Sequence, residues 1–340
     1  MRGNSGSQLP DFSPLSPSYI AEAAEAVLGQ RVDGTLVPYP SYVNRVYGLQ
    51  TEDGRRVIAK FYRPGRWSEA SLRQEHAFMA DCANAGLPVL APLCDEEGET
   101  LSALSVEDEE SGEEQFYYFS LYPFVHRPGW EATSDRDWLA LGSLIAKIHE
   151  VGRLQSAPDR PSIHPASLTK PALQSLISQE YVHPELRTEF TELCLASLDR
   201  LIPLFDTEYL PRLHGDLHRG NLLQGSNNSM VLIDFDDMAS GPAIQDLWLF
   251  LPGRLDESRK ELNLIIEGYE EQAVFDHGQI ELIEGLRFMR MVSYLAWQAR
   301  QIRDRGFFKA FPDWGSRAFW IKELEDLRDQ ARVIFPLAQP

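Results

Sequence analysis

Apolar positions along this chain follow two periods. Between residues 43 and 63 they alternate: "VNRVYGLQ", then "TEDG", then "RRVIAKFYR" predict two strands joined by a tight turn. An Ala-rich helix is predicted over 19–28. Ser68 is a candidate N-cap for a helix running to Asn84 and closed by Gly86. "LPVLAPL" reads as a short strand and "QFYYFSLYPFV" as an aromatic-rich one. The acidic stretch 95–114 between them reads as a surface hairpin or loop. From Ser134 onward the period lengthens to 3.6. It predicts helices over 135–151, 184–205, 257–273, 279–303 and 316–333, with strand-like pieces "PRLHGD", "NLLQG" and "SMVLIDFDD" interposed. The pattern is α+β: a tail over residues 1–18, a small β-rich N-terminal lobe over 19–125, and a larger, mostly helical C-terminal lobe over 126–335.

Charge narrows the partners. The 340 residues carry a formal net charge of −19, which disfavours bulk binding to nucleic acid or to an anionic membrane. Such a field concentrates Mg²⁺ and tolerates cationic substrates. The three cysteines, Cys82, Cys94 and Cys194, are odd in number and lack metal-site spacing, which fits a reducing, cytoplasmic compartment. No apolar run approaches the roughly 18 residues of a membrane span. The Gly-, Ser- and Pro-rich start reads as a mobile tail and not as a signal peptide.

The densest polar chemistry lies in "LHGDLHRGNLL", residues 213–223. His214 and His218 have the i, i+4 spacing of two zinc ligands on a helix, but Gly215 and Gly220 argue against a helix there. A hydrogen-bonded structural turn is a second reading. The third is a catalytic loop, in which Asp216 receives the proton of an attacking hydroxyl and Asn221, five residues on, faces a Mg²⁺. That reading requires a second aspartate at the end of a nearby strand. "MVLIDFDD" supplies Asp234, eighteen residues after Asp216, followed by Asp236 and Asp237. Carboxylates this close repel unless a cation lies among them.

"LHGDLHRGN" followed by "LIDFDD" resembles the catalytic and metal loops of the aminoglycoside phosphotransferase and choline kinase group, which has a two-lobed protein-kinase-like fold. "SYVNRVYGLQ", "VIAKFYRPGRW", "GPAIQDLWLFL" and "MRMVSYLAWQARQ" extend the resemblance to the bacterial stress response kinases, over about residues 20–335. The resemblance implies an ATP- and Mg²⁺-dependent serine/threonine protein kinase, acting in envelope and oxidative stress. Asp216 is its catalytic base or hydroxyl orienter, and Asn221 and Asp234 hold the metal, Asp234 doubling as a catalytic residue. Lys60 is implied to grip the phosphates, paired with Glu75 on the next helix; Glu69 is the alternative partner. Asp246 would brace the catalytic loop.

Glycines are absent from the expected phosphate-covering loop, where "PYPSYVNRVY" offers Ser41 and backbone N–H groups instead. Backbone near Pro123, Phe124 and Val125 is expected to meet adenine. Arg63 and Arg66 read as surface charges or as contacts to substrate or to a small-lobe helix, and His149 reads as a satisfied core histidine. "DFDDMASGPAIQD" is too short for a phospho-regulated activation segment. The partners expected are ATP and a protein carrying Ser or Thr, with the chain acting as a monomer. The rival readings are a kinase of an aminoglycoside, choline, homoserine or sugar, and a nucleotide-binding scaffold without turnover.

Overall fold

The structure is a computed structural model and describes residues 12–107, 112, 114–205, 208, 210–225, 229–304 and 306–335. It divides into two units. The first takes in the chain up to Trp130 together with Gly220–Asp236; the second takes in Glu131–Arg219 and the chain from Asp237 onward.

The first unit is built on an antiparallel sheet of five strands: β1 (Val32–Tyr39), β2 (Arg45–Thr51), β3 (Arg56–Phe61), β4 (Ser102–Glu107) and β5 (Glu114–Pro123), in the order β1-β2-β3-β5-β4. The β2–β3 turn closes through the Thr51 N–H on the Arg55 carbonyl, with Gly54 at φ +87°. Val57, Ala59 and Phe61 alternate onto one face. There they pack with Leu49, Phe119 and Leu121 and with Ile20, Ala23 and Ala24 of helix α1 (Pro17–Leu28). Each large apolar side chain buried in this way contributes about 1.5–3 kcal/mol. Lys60, one residue out of phase, lies on the opposite face in register with Ser120.

Two local expectations need correction, and one strand was not foreseen. Phe12 and Leu15 fall within the expected tail, yet both are buried and Phe12 stacks on Tyr117. Two apolar residues in a Pro-rich segment suffice to pin it; residues 1–11 lie outside the described part. "LPVLAPL" forms only a single bridge, Val89 to Leu232. Strand β1 was not evident from the pattern because it is an edge strand with mostly exposed side chains and a proline, Pro38, that an edge tolerates. The acidic stretch contributes β4; residues 108–111 and 113 lie outside the described part.

Helix α2 (Glu69–Asn84) starts where Ser68 accepts the Ser71 N–H, and buries Glu75, His76, Phe78 and Met79. The hairpin of Leu222–Gln224 against Met230–Leu232 is stitched into the same unit from both sides. Leu90 N–H donates to Leu232 O at 2.9 Å, and Trp130 N–H donates to Leu222 O at 2.9 Å.

The second unit is helical: α3 (Asp135–Gly152), α4 (Lys170–Ser178), α5 (Arg187–Leu201), the short α6 (Gln245–Trp248), α7 (Arg259–Glu270), α8 (Ile283–Arg300), α9 (Phe307–Ala310) and α10 (Arg317–Ile334). Helices α3 and α7 cross at Gly142 and Gly268. A Cβ on either would meet the other helix's backbone, at Ile265 and Leu139 respectively. Helix α4 went unpredicted; it follows a π-helical turn, Pro165–Thr169, that breaks the 3.6-residue period. No helix among the described residues is long and apolar enough to cross a membrane.

Candidate active site

Lys60 gathers the carboxylates of the first unit. Its Nζ lies 2.7 Å from Asp234 Oδ1, 3.6 Å from Asp236 Oδ1 and 4.0 Å from Glu75 Oε1. Burial alone would lower the lysine's pKa, but Asp234, Asp236 and Glu75 outweigh it and hold the pKa well above the ordinary value. Lys60 is therefore charged. Glu69 is exposed and pairs with Arg73 instead, so the geometry separates the two candidate glutamates.

Hairpin register brings Asn221 to Asp234. Leu222 pairs with Leu232, and Ile233 N–H donates to Asn221 O at 3.1 Å. Asn221 therefore lies opposite Ile233, one residue from Asp234. Asp234 adopts φ +62°, a left-handed conformation that costs a non-glycine residue about 1–3 kcal/mol and here aims its side chain at Lys60. Phe235, between the aspartates, is fully buried and packs edge-on against Phe78 of α2.

Asp236 is 4% exposed and pairs with Arg66 as well as Lys60. Arg63 ties down the Ser41–Asn44 bend: its Nε donates to Val43 O at 2.9 Å and its Nη2 to Tyr42 O at 3.1 Å. Where glycines are lacking, an arginine shapes this loop, in which Ser41 is half-buried. Phe124 and Val125 follow the end of β5. Phe124 donates weakly to Arg56 O at 3.4 Å, and its ring lies under the Arg56 guanidinium at 3.7 Å.

The second unit carries Asp216. Arg290 Nη1 lies 2.8 Å from its Oδ1 and His218 Nε2 3.4 Å from its Oδ2. Burial would raise the Asp216 pKa, but His218 and Arg290 outweigh it and hold it down at about 2. The loop behind it is fixed by Asp246, as expected. His214 N–H and Gly215 N–H donate to its two oxygens at 2.8 and 2.9 Å, and His149 Nε2 lies 3.1 Å from Oδ2. His149 is a buried core histidine that also bonds the Tyr269 hydroxyl. Gly215 has φ +85°, and a Cβ there would run into the Asp237 carbonyl. Only glycine fits the position.

Asp246→Asn puts an amide N–H donor opposite a buried backbone donor. We expect it to cost about 2 kcal/mol in chemical denaturation and to speed amide hydrogen exchange at His214 or Gly215. Wild-type exchange at both amides would contradict the bracing role.

Three of these partners were not assigned from sequence. Arg66 and Arg63 sit in a turn, "RPGRW", that resembles any charged loop. Arg290 lies 74 residues from Asp216, and nothing local marks it out from the other arginines of α8. Among the described residues no group of three or more His, Cys, Asp or Glu is suited to a metal. Asn221 and Asp234 offer two oxygen donors. That set suits Mg²⁺, which takes few protein ligands and completes its shell with water and phosphate oxygens.

The model of the phosphotransferase enzyme family matches residues 35–283. Stress response kinase A of Escherichia coli strain K12 is 36% identical over 328 residues, covering 95% of this chain and 94% of that one. Serine/threonine protein kinase RdoA of Salmonella typhimurium is 36% identical over 324 residues, with the same coverage. Among solved structures, an amicoumacin kinase in complex with AMP-PNP, Ca²⁺ and Ami superposes with a TM-score of 0.72 at 16% identity, over 92% of this chain and 93% of that one. Choline kinase LicA of Streptococcus pneumoniae gives 0.58 at 16% identity, over 93% and 99%. The shared fold is protein-kinase-like.

Proposed function

Because the chain belongs to the phosphotransferase enzyme family, we propose that it is an ATP- and Mg²⁺-dependent serine/threonine protein kinase of the bacterial stress response, acting in the cytoplasm as a monomer. The observation that carries the chemistry is the hairpin register, which sets Asn221 opposite Ile233, one residue from Asp234, with Lys60 2.7 Å from the Asp234 carboxylate.

In this reading Lys60, oriented by Glu75, grips the α- and β-phosphates. Ser41 and its neighbours cover the phosphates, and the backbone at Phe124 and Val125 meets adenine. Asn221 and Asp234 hold Mg²⁺, which when bound neutralises charge on the phosphate oxygens. Asp216 orients the acceptor hydroxyl. The hydroxyl oxygen bonds to the γ-phosphorus as the bond from that phosphorus to the bridging oxygen breaks; ADP leaves, and the hydroxyl proton passes to Asp216 or to water. A pKa near 2 makes Asp216 a weak base, which suits a loose transition state where positioning dominates.

A protein acceptor is favoured by the curated relatives, whose 36% identity extends over 95% of the chain. The small-molecule kinases share the fold at 16% identity and carry no weight on the acceptor. Strand pairing of Ala239–Ser240 with Arg212–Leu213 holds the segment just past the metal loop, which supports activity without activation-loop phosphorylation.

The test is γ-labelled ATP with purified protein, a generic protein substrate and a panel of small alcohols. Label on Ser or Thr is the expected result. Label on a small alcohol alone would refute the protein-kinase reading, and bound ATP with no transfer at all would leave a scaffold.

A further inference from the structure

Arg290 and His218 both face Asp216, and of the two it is Arg290 that carries a fixed positive charge out to the surface. It projects from α8 and gives Asp216 Oδ1 one guanidinium nitrogen at 2.8 Å, while its side chain remains 48% exposed. A guanidinium has five N–H donors in a rigid fork, so one bond to a carboxylate leaves capacity for a second anion. One turn along α8, Tyr294 is 50% exposed and stacks on Trp297, with ring centroids 5.4 Å apart. Trp297 in turn meets Phe311 edge-on, and Phe308 of α9 is 54% exposed. The surface leading away from Asp216 along α8 is thus a cation followed by an aromatic ledge. Glu323 of α10 acts electrostatically on the Tyr294 hydroxyl, as does Arg290.

A kinase of polycationic alcohols needs the opposite sign next to its catalytic carboxylate. We propose that Arg290 sets the charge of the acceptor. It admits a hydroxyl carried beside an acidic group on a polypeptide whose apolar side chains rest on the Tyr294–Trp297 ledge, and it rejects polycationic alcohols. This deepens the function proposed above and rests on Asp216 being the residue that receives the acceptor hydroxyl. An aromatic ledge that begins one helical turn along α8 from Arg290 and runs on to Trp297 suits an extended chain better than a single small alcohol. Like-charge contact with Arg290 disfavours a cationic acceptor by about tenfold or more. Arg290 is a specificity residue in this account; the phosphoryl group does not pass through it.

The experiment uses the full chain with Mg²⁺-ATP and two matched serine peptides, one flanked by acidic and one by basic residues, together with a polycationic amino alcohol. For the wild type, kcat/KM is expected to favour the acidic peptide by about tenfold or more. Arg290→Glu is expected to invert that preference and Arg290→Lys to keep its direction. Arg290→Gln keeps hydrogen bonding without the charge and is expected to bring the two peptides within about twofold. Should Arg290→Glu turn over neither peptide, the Gln variant alone decides. An unchanged preference in the Gln variant, or a wild type that prefers the amino alcohol, overturns the proposal. Failure of the protein-kinase reading looks different: label reaches no peptide of either charge.

Discussion

Asp216→Ala is expected to lower kcat by about 10²–10⁴-fold while nucleotide binding persists. The substitution removes the carboxylate that His218 and Arg290 hold between them, and leaves Lys60, Asn221 and Asp234, all in the first unit, untouched. Asp216→Asn discriminates orienter from base. It keeps the shape and one acceptor oxygen, so an orienting role predicts that Asn retains more activity than Ala. A base of ordinary strength predicts that both fall equally. The pH profile tests the same point. A pKa of about 2 keeps Asp216 ionised through pH 4, so it adds no acid limb to kcat/KM there. The sign for stability is consistent: a depressed carboxylate pKa stabilises the fold above the unfolded value, and that stabilisation is lost as pH falls toward 2. Steady-state rates and nucleotide titration on both variants settle the matter. Wild-type turnover by Asp216→Ala would remove this residue from the chemistry.

How much of this was legible in the sequence depends on the range over which each signal acts. Short-range signals read well. Ser68 caps α2, and the aspartate–asparagine spacing of "HGDLHRGN" pointed to its partner strand because a hairpin returns the chain within a few residues. Asp246 as the brace of the Gly215 loop also read correctly, through resemblance. Long-range electrostatics did not. That Lys60 would choose Asp234 at 2.7 Å over Glu75 at 4.0 Å depends on a left-handed backbone at Asp234, which no pattern of residue types announces. The role of Arg290 depends on the packing of α8. The stitching of residues 220–236 into the first unit depends on backbone bonds to 88–90 and 128–130, which carry no side-chain signature. Edge strand β1 and helix α4 were missed because the first lacks a buried face and the second follows a break in helical period.

The second large effect is expected at Lys60. Replacing it with Met keeps the length and the apolar stem but removes a buried cation facing three carboxylates. Two of those, Glu75 and Asp236, are themselves almost fully buried. Breaking a buried ion pair from one side costs about 3–5 kcal/mol. The Asp234 side chain is half exposed, and Arg66 stays on Asp236, so the low end applies: about 3 kcal/mol in chemical denaturation without nucleotide. Activity falls by a different route. Loss of one fixed donor on a phosphate is expected to lower kcat/KM by about 10²–10³-fold. A double variant separates the two effects. Lys60→Met with Glu75→Gln removes a negative charge as well, which relieves repulsion among the remaining carboxylates. It is expected to recover part of the lost stability and none of the activity. A Lys60→Met protein as stable as wild type would show that solvent, and not Lys60, balances the carboxylates. Unchanged kcat/KM would show that the phosphates are gripped elsewhere.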